Sequence, residues 1–324
     1  MALLEVEGLS VTFETRRGDV AAVEDVSFTL NDGEALGIVG ESGSGKSMAM
    51  LALLGLAPES ARVEARRLAF DGRELMGAGA RARRAIAGRE LAMIFQEPMT
   101  SLNPCFTVGF QIIEAIRRRP QGGKGSAKDQ AMDLLASVGI SEPARRLSAF
   151  PHQLSGGMNQ RVMIAMAIAC EPRVLIADEP TTALDVTIQA QILDLLGSLR
   201  EQHGMALMLV THDMAVIAET VERVMVMYAG EAVEAGTVLD ILQAPRHPYT
   251  AALLDALPER APPGAPLRTI PGIVPGIEDR PAGCLFHPRC TYAERSCREK
   301  RPHATGKGAQ GLRCHFPLST AASP

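Results

Sequence analysis

The hydrophobic pattern of the chain separates into compact apolar runs and longer apolar stretches. Uninterrupted aliphatic runs predict buried strands at 35–39, 91–95, 174–177 and 206–210. Longer stretches predict helices at 46–56, 157–170 and 249–257, and an amphipathic helix at 186–203. Two further runs predict a hairpin, with strands at 223–228 and 231–235. Strands that alternate with helices in this way are typical of an α/β fold.

Two regions depart from this alternation. Residues 101–150 contain no convincing strand and are predicted to form helices and loops, with a glycine-rich loop at 122–125. The composition changes near residue 245, because 13 of the 21 prolines lie at or beyond Pro245. We therefore predict one domain over residues 1–245 and a C-terminal extension over residues 246–324.

Composition and charge narrow the class of protein. The chain is 46% hydrophobic and 22% charged, as in ordinary soluble globular proteins, and its net charge of -4 argues against nucleic acid as the main partner. The apolar runs at 162–170 and 205–210 are far shorter than the roughly 20 residues that span a bilayer. Residues 1–10 do not resemble a signal peptide. We expect a cytoplasmic protein that other chains would anchor if it acts at a membrane.

A glycine-rich turn follows the predicted strand 35–39. Residues 40–47 read Gly-Glu-Ser-Gly-Ser-Gly-Lys-Ser and fit the phosphate-binding pattern G-x-x-x-x-G-K-[ST] at every fixed position. The glycines let backbone N–H groups point at phosphate oxygens, and the next helix adds its positive end. Lys46 is expected to reach the β- and γ-phosphates, and Ser47 is expected to bind Mg²⁺. The pattern predicts a nucleoside triphosphate site.

The predicted strand 174–177 ends in two carboxylates, Asp178 and Glu179. An aspartate at this place in a phosphate-binding-loop enzyme helps to hold Mg²⁺, and an adjacent glutamate can activate the attacking water. Two solvated acids at a strand end would also explain the pair in isolation. The complete phosphate-binding loop earlier in the chain favours the catalytic interpretation.

A Ser-Gly-Gly turn at 155–157 opens the predicted helix 157–170 and forms a second candidate phosphate cradle. Such a turn taken alone is more often a helix cap. One nucleotide does not need two cradles from one chain. We therefore expect this cradle to serve a nucleotide that is bound by another ATPase domain.

In their order along the chain, these motifs resemble the ABC ATPase family. The resemblance covers about residues 3–240 and rests on the phosphate-binding loop, Gln96, Leu154-Ser155-Gly156-Gly157, Asp178-Glu179, Ala183-Leu184-Asp185 and His212. It implies an α/β fold with a RecA-like core, an antiparallel β subdomain and a helical subdomain at about 98–160. It also implies that two ATPase domains close head-to-tail over two ATP molecules. Met158 departs from the usual glutamine of the family signature and is common in its peptide-importer branch.

The resemblance assigns roles to individual residues. Glu179 is the implied catalytic base, His212 contacts the γ-phosphate, and Gln96 senses Mg²⁺ and water and links to membrane subunits. The implied ATP-binding residues are Phe13, Gly40, Ser42, Gly43, Gly45, Lys46 and Ser47. The implied Mg²⁺ ligands are Ser47, Gln96 and Asp178. The residues implied to act on the partner's nucleotide or across the dimer interface are Ser155, Gly156, Gly157 and Asp185.

A narrower resemblance is to ATPases of dipeptide and oligopeptide importers. It rests on the run from Ile94 to Pro104, on Arg246-His247-Pro248-Tyr249-Thr250, and on the cysteine-containing C-terminal region. It implies three kinds of partner: a second, paralogous ATPase chain, two membrane permeases, and an external peptide-binding protein. It also implies a peripheral location at the cytoplasmic face of the inner membrane. Importers of nickel or glutathione share much of this branch and remain alternatives.

A soluble ABC ATPase of DNA repair or translation is a second class of candidate. Such proteins usually carry a long coiled-coil insertion or two ATPase cassettes. Here one cassette is present, and 58 residues separate Gln96 from Ser155, which suits a helical subdomain that docks on permeases.

Four of the six cysteines lie in the last 41 residues, at Cys284, Cys290, Cys297 and Cys314. Clustered cysteines in a cytosolic protein favour a metal over disulfides. The spacings C-x5-C, C-x6-C and C-x16-C lack the close pair of most zinc sites, and four thiolates can complete a [4Fe–4S] cluster. We expect such a cluster, with zinc, reduced thiols or a redox sensor as alternatives. Because these cysteines are remote in sequence from the ATP motifs, we expect a structural or docking role.

Overall fold

The computed structural model describes residues 2–16, 18–77, 83, 85–119, 125–182, 184–260, 266–306 and 311–319. The chain forms two compact units, the first from residues 1–79 and 209–324 and the second from residues 80–208. No helix within the described ranges combines the length and the apolarity that a membrane crossing requires.

The N-terminal half of the first unit is rich in strands. Its elements are β1 (Leu4–Thr15), β2 (Gly18–Leu30), β3 (Ala35–Val39), α1 (Lys46–Leu54), β4 (Ala61–Glu64), β5 (Arg67–Phe70) and β6 (Arg73–Glu74). Strand β1 pairs antiparallel with β2, β4 and β5. Apolar and polar residues alternate along β1 as far as Val6. The pairing of β1 with β2 shifts register between Val6 and Leu9. Gly8 lies within this irregularity and has a φ of 64°. These strands form the antiparallel β subdomain that the family resemblance implies.

The second unit contains helices and two parallel strands. Its elements are β7 (Leu91–Ile94), α2 (Pro98–Ser101), α3 (Val108–Ile116), α4 (Ala127–Ser137), α5 (Pro143–Arg146), a 3-10 turn (Pro151–Gln153), α6 (Gly156–Ile168), β8 (Val174–Asp178) and α7 (Val186–His203). Strands β7 and β8 are buried at every residue and pair in parallel. Full burial explains why their sequences are continuously apolar instead of alternating.

The chain leaves the second unit through β9 (Ala206–Thr211). The remaining elements are α8 (Met214–Thr220), β10 (Arg223–Tyr228), β11 (Glu231–Thr237), α9 (Val238–Gln243), α10 (Pro248–Asp255), 3-10 turns at Pro258–Arg260 and His287–Arg289, α11 (Arg295–Glu299) and β12 (Gly311–Leu312). Strand β10 pairs in parallel with β3 and antiparallel with β11, and β11 also pairs with β12. The first unit thereby has a second group of paired strands, in the order β12-β11-β10-β3.

The structure confirms the predicted elements with small shifts at their ends. Strand β3 has the predicted bounds, and the helix predicted at 46–56 ends at Leu54 because Gly55 takes a left-handed conformation at its C-cap. The region 101–150 is helical and contains no strand among its described residues. The predicted glycine-rich loop at 122–125 lies almost wholly outside the described residues.

The region from residue 246 onward, here called the C-terminal segment, belongs to the same compact unit as residues 1–79. The predicted boundary at 245 therefore marks a change of composition and does not coincide with a division between the two units; as a domain boundary it stays a prediction. Arginines of the segment pair with carboxylates near the start of the chain and after β10. The pairs are Arg280–Glu24, Arg289–Glu41, Arg301–Glu24, Arg301–Glu231, Arg313–Asp25 and Arg313–Glu231. Long side chains with charged ends thus attach a segment that has few large apolar residues of its own.

Candidate active site

The loop between β3 and α1 adopts a conformation that two of its glycines make possible. A Cβ atom on Gly40 would lie 2.2 Å from the carbonyl oxygen of Met227, which no side chain tolerates. Gly45 has a φ of 92°, and a Cβ there would lie 2.9 Å from the carbonyl oxygen of Ala22. The loop therefore passes close to two other backbone segments before it enters α1. The N–H groups of the first turn of α1 have no intrahelical acceptor and can bind an anion.

Lys46 is buried within this loop and is 4% exposed. Its Nζ donates to the carbonyl oxygens of Gly40 at 2.7 Å and Glu41 at 3.1 Å, and it lies 3.4 Å from Oγ of Ser44. The ammonium group is thus bound by oxygen atoms of the loop itself, at the first two residues after β3. A cation in this position can meet phosphate oxygens that enter the loop.

The turn after β10 supports the other side of the loop. The N–H of Gly230 donates to the carbonyl oxygen of Ser44 at 2.8 Å, and the carbonyl of Gly230 accepts from the N–H of Glu24 at 2.8 Å. The loop is therefore tied by backbone hydrogen bonds to a rigid strand end. Ser42 and Gly43 remain exposed, and Ser47 is half-buried at the start of α1.

Two further predicted residues lie in the first unit. Phe13 is half-buried in β1, opposite Val20 of β2 and Ala61 of β4. His212 is exposed directly after β9, and the following residue, Asp213, caps α8 through the N–H groups of Ala215 and Val216. The ring of Phe13 and the imidazole of His212 are both accessible at the surface of the unit.

The predicted catalytic pair lies at the end of β8 in the second unit. Asp178 is the last residue of the strand and is 4% exposed, whereas Glu179 is half-buried. The backbone of Glu179 has a φ of 45°, which is uncommon for a residue other than glycine. Strain of this kind is often found at functional sites.

The Glu179 carboxylate has two hydrogen-bond donors in the same unit. The side-chain amide of Gln96 donates to Oε2 at 2.9 Å, and the hydroxyl of Thr182 donates to the same oxygen at 2.8 Å. The structure thus brings together two residues that are 83 positions apart in sequence. None of the sequence motifs indicated Thr182 as a residue of the site.

The Ser-Gly-Gly turn lies at the N-terminus of α6. Ser155 and Gly156 are exposed, and Oγ of Ser155 accepts from the N–H of Met158 at 3.3 Å. Asp185 is exposed at the N-terminus of α7, where its carboxylate accepts from the N–H of Ile188 at 3.0 Å. A Cβ on Gly157 would lie 3.2 Å from Cγ2 of Ile188, so the two helix N-termini are neighbours. Ala183, which is part of the motif that ends in Asp185, lies outside the described residues.

The four cysteines of the C-terminal segment line one small cavity, together with His247 and Phe286. Burial raises the pKa of the Cys284 thiol to about 11, and the neighbouring cysteines add to the rise. Burial also raises the pKa of Cys290 and of Cys314. Within the described ranges, no group of three or more cysteine, histidine or acidic side chains is arranged so that it could hold a metal ion. The predicted metal cluster is therefore not confirmed, although its four predicted ligands lie around one cavity.

Comparisons with known proteins extend over the whole chain. A family model described as ABC transporter matches residues 23–182, and one described as the C-terminal region of oligopeptide/dipeptide transporters matches residues 233–297. The chain is 55% identical to the dipeptide transport ATP-binding protein DppD of Escherichia coli, over 100% of this chain and 99% of that protein. Identity to DppD of Haemophilus influenzae is 52%, over 100% and 98% of the two chains.

Solved structures match a smaller part of the chain. A dimeric ATP-binding cassette in a post-hydrolysis state, bound to ADP and phosphate, superimposes with a TM-score of 0.65 and 26% sequence identity. The match covers 72% of this chain and 98% of the cassette. The remaining part of this chain has no counterpart in that structure.

Proposed function

The chain belongs to the ABC transporter ATP-binding family, and from this premise we propose that it powers the import of dipeptides and other short peptides through partner permeases. It is an ATPase, as its family and motifs require. The observation that supports peptides as the cargo is the match at 233–297 to the C-terminal region of peptide transporters. This region extends beyond the cassette that many other ABC proteins share.

We assign the steps of ATP binding and hydrolysis to individual residues of the chain. The loop from Gly40 to Ser47 binds the phosphates through its N–H groups, and Lys46 neutralises part of their charge. Phe13 offers an aromatic face to the adenine ring. Ser47, Asp178 and Gln96 would hold Mg²⁺, which neutralises developing charge on the phosphates.

Glu179 is the proposed general base for the attacking water. Gln96 and Thr182 hold its carboxylate, so that the carboxylate need not reorient when a water molecule arrives. His212 is the proposed contact to the γ-phosphate.

A second, paralogous ATPase chain completes each nucleotide site in this proposal. Ser155, Gly156 and Asp185 are exposed on neighbouring helix N-termini, where backbone N–H groups can meet the γ-phosphate of a partner's ATP. Two permeases anchor the ATPase pair at the cytoplasmic face of the membrane, and an external binding protein delivers the peptide.

The four cysteines of the C-terminal segment are the proposed ligands of a [4Fe–4S] cluster, with Zn²⁺ as the alternative. Their position around one cavity supports the proposal, and four thiolates are a complete ligand set for either metal centre. The raised pKa of Cys284 means that metal binding must displace a proton that the thiol otherwise retains. We assign the centre a structural role.

The cargo can be tested in proteoliposomes that contain the chain, a paralogous ATPase and both permeases. Addition of a dipeptide-loaded binding protein should stimulate ATP hydrolysis and move labelled dipeptide across the membrane. The variant Lys46→Ala in the same assembly controls for background hydrolysis. Stimulation by nickel or glutathione carriers, with none by dipeptide, would overturn the assignment of cargo and leave the ATPase assignment intact.

A further inference from the structure

The C-terminal segment reaches directly into the phosphate-binding loop. The guanidinium of Arg289 binds the Glu41 carboxylate through two hydrogen bonds, from Nη1 at 2.7 Å and from Nη2 at 2.9 Å. Glu41 is the second residue of the loop and lies 248 positions earlier in the chain. The Arg289 side chain is 5% exposed, so this ion pair is shielded from water on the arginine side. A shielded ion pair with two parallel hydrogen bonds, here called two-pronged, fixes the relative position of its two side chains far better than an exposed ion pair does.

Contacts other than the ion pair with Glu41 also hold Arg289 in place. Its Nε donates to the carbonyl oxygen of Pro271 at 2.8 Å, and its guanidinium carbon lies 5.7 Å from the centre of the Tyr228 ring. The residue also ends the 3-10 turn His287–Arg289. The guanidinium is therefore a rigid support, because several contacts within the first unit orient it independently of Glu41.

A second residue of the C-terminal segment holds the backbone of Glu41. The N–H of Glu41 donates to the hydroxyl oxygen of Tyr249 at 2.9 Å. Tyr249 is fully buried, and its ring packs against Tyr228 at 4.7 Å and Phe286 at 5.3 Å between ring centres. Both the side chain and the backbone of Glu41 are thus fixed by residues that follow position 245.

The position of Glu41 matters because its carbonyl oxygen is a partner of Lys46. Nζ of Lys46 donates to the carbonyl oxygens of Gly40 and Glu41, the first two residues of the loop. A rotation of the Glu41 peptide would therefore displace the ammonium group and the N–H groups that follow it. The C-terminal segment thus contacts Glu41 through both Arg289 and Tyr249.

We propose that Arg289 and Tyr249 are positioning residues for ATP binding, which hold the first turn of the phosphate-binding loop in the shape that accepts phosphate. This inference rests on the proposed role of that loop in binding ATP. It gives the C-terminal segment a part in nucleotide affinity, in addition to the structural role proposed above. Neither residue touches the nucleotide in this scheme, since both act through Glu41.

The test compares nucleotide affinity in matched variants of the full chain. Arg289→Gln and Glu41→Gln each remove the two-pronged pair, and each should weaken binding of a fluorescent ATP analogue by about fivefold or more. The double variant should be no weaker than the single variants, because all three lack the same interaction. Arg289→Lys should recover only part of the affinity, since a lysine cannot donate in the paired geometry.

The control is Arg301→Gln. Arg301 also attaches the C-terminal segment, through Glu24 at 2.9 Å and Glu231 at 3.0 Å, but it does not contact the loop between β3 and α1. This variant should keep the affinity of the natural chain within about twofold. An equal loss in Arg289→Gln and Arg301→Gln would overturn the proposal, because it would show only a general loosening of the segment.

Tyr249→Phe provides an independent measurement if Arg289→Gln does not fold. It keeps the buried ring and removes only the hydroxyl that accepts from Glu41, and it should also raise the KM for ATP with little change in kcat. Unchanged affinity for the ATP analogue in folded Arg289→Gln, or in Tyr249→Phe, would overturn the proposal. Absence of ATP binding by the natural chain would instead refute the proposed function, so the two failures can be told apart.

Discussion

The side-chain amide of Gln96 donates a 2.9 Å hydrogen bond to the carboxylate of Glu179. The hydroxyl of Thr182 donates to the same carboxylate oxygen, and the backbone of Glu179 is in the left-handed region with a φ of 45°. A carboxylate that is fixed in this way has a defined direction before any nucleotide arrives. Such a carboxylate can meet the attacking water at low cost in entropy.

Glu179→Gln should lower ATP hydrolysis roughly a hundredfold or more, because an amide cannot accept the proton of the attacking water. ATP binding should persist, since the phosphate-binding loop is unchanged. Steady-state hydrolysis and equilibrium binding of a fluorescent ATP analogue measure the two effects separately. Glu201→Gln, at an exposed site on α7, is the matched control and should behave as the natural chain does. Near-normal turnover of Glu179→Gln would remove Glu179 from its assigned role.

Ser155→Arg should block the partner's ATP site more strongly than the site of its own chain. The residue is exposed at the N-terminus of α6, and an arginine there would occupy the space that the model of a shared site gives to phosphate. ATP trapping in the two-chain complex, with each site labelled separately, measures the asymmetry.

Ser126→Arg is the control for the helix-cap contribution of Ser155. Ser126 is an exposed N-cap of α4, so its substitution also removes a cap, at a cost of about 1 kcal/mol in stability, without altering the signature turn. Robust hydrolysis by a strictly monomeric natural chain would contradict the shared-site model as a whole.

Anaerobically purified chain should contain about four irons per molecule and absorb broadly near about 400 nm, as iron–thiolate clusters do. Cys290→Ser should lose the metal and lower the melting temperature, because a proposed ligand of the centre is replaced. Cys105→Ser removes an exposed cysteine of the other unit and should retain the metal. A colourless preparation with one zinc per chain would decide for the zinc alternative.

The stability of the chain should respond to pH through Glu231. This carboxyl is 2% exposed, and burial raises its pKa above 4.5, against the opposing effects of Arg313 and Arg301. The folded chain therefore holds this proton more tightly than the unfolded chain does, and the contribution of Glu231 to stability falls as pH rises through the raised pKa. Relative to Glu231→Gln, the natural chain should gain melting temperature as the pH is lowered from neutrality toward 4.5. If the advantage of the natural chain over Glu231→Gln in melting temperature became smaller as the pH is lowered, a raised pKa of Glu231 would be contradicted.

The sequence alone was sufficient for the features that depend on neighbouring residues. The phosphate-binding loop could be predicted because residues 40–47 match one short pattern at every fixed position and Gly45 has a left-handed φ of 92°. Strand β3 could be predicted because an uninterrupted apolar run fits a strand that is buried on both faces. The caps of α6 and α7 likewise depend on Ser155 and Asp185 and on the residues that follow them directly. In each case the information lies within a few positions along the chain.

Only the tertiary structure decided which distant side chains meet. Strands β1 and β2 are long, but their register is interrupted near Gly8, and their alternation is too irregular to predict from the pattern. Arg289 has 37 acidic residues as possible partners in the sequence, and nothing local selects Glu41. The selection comes from the packing of Tyr228, Tyr249 and Phe286, which sets the guanidinium beside the loop. Because electrostatic attraction acts between any opposite charges, only the position that packing imposes can make one pair specific.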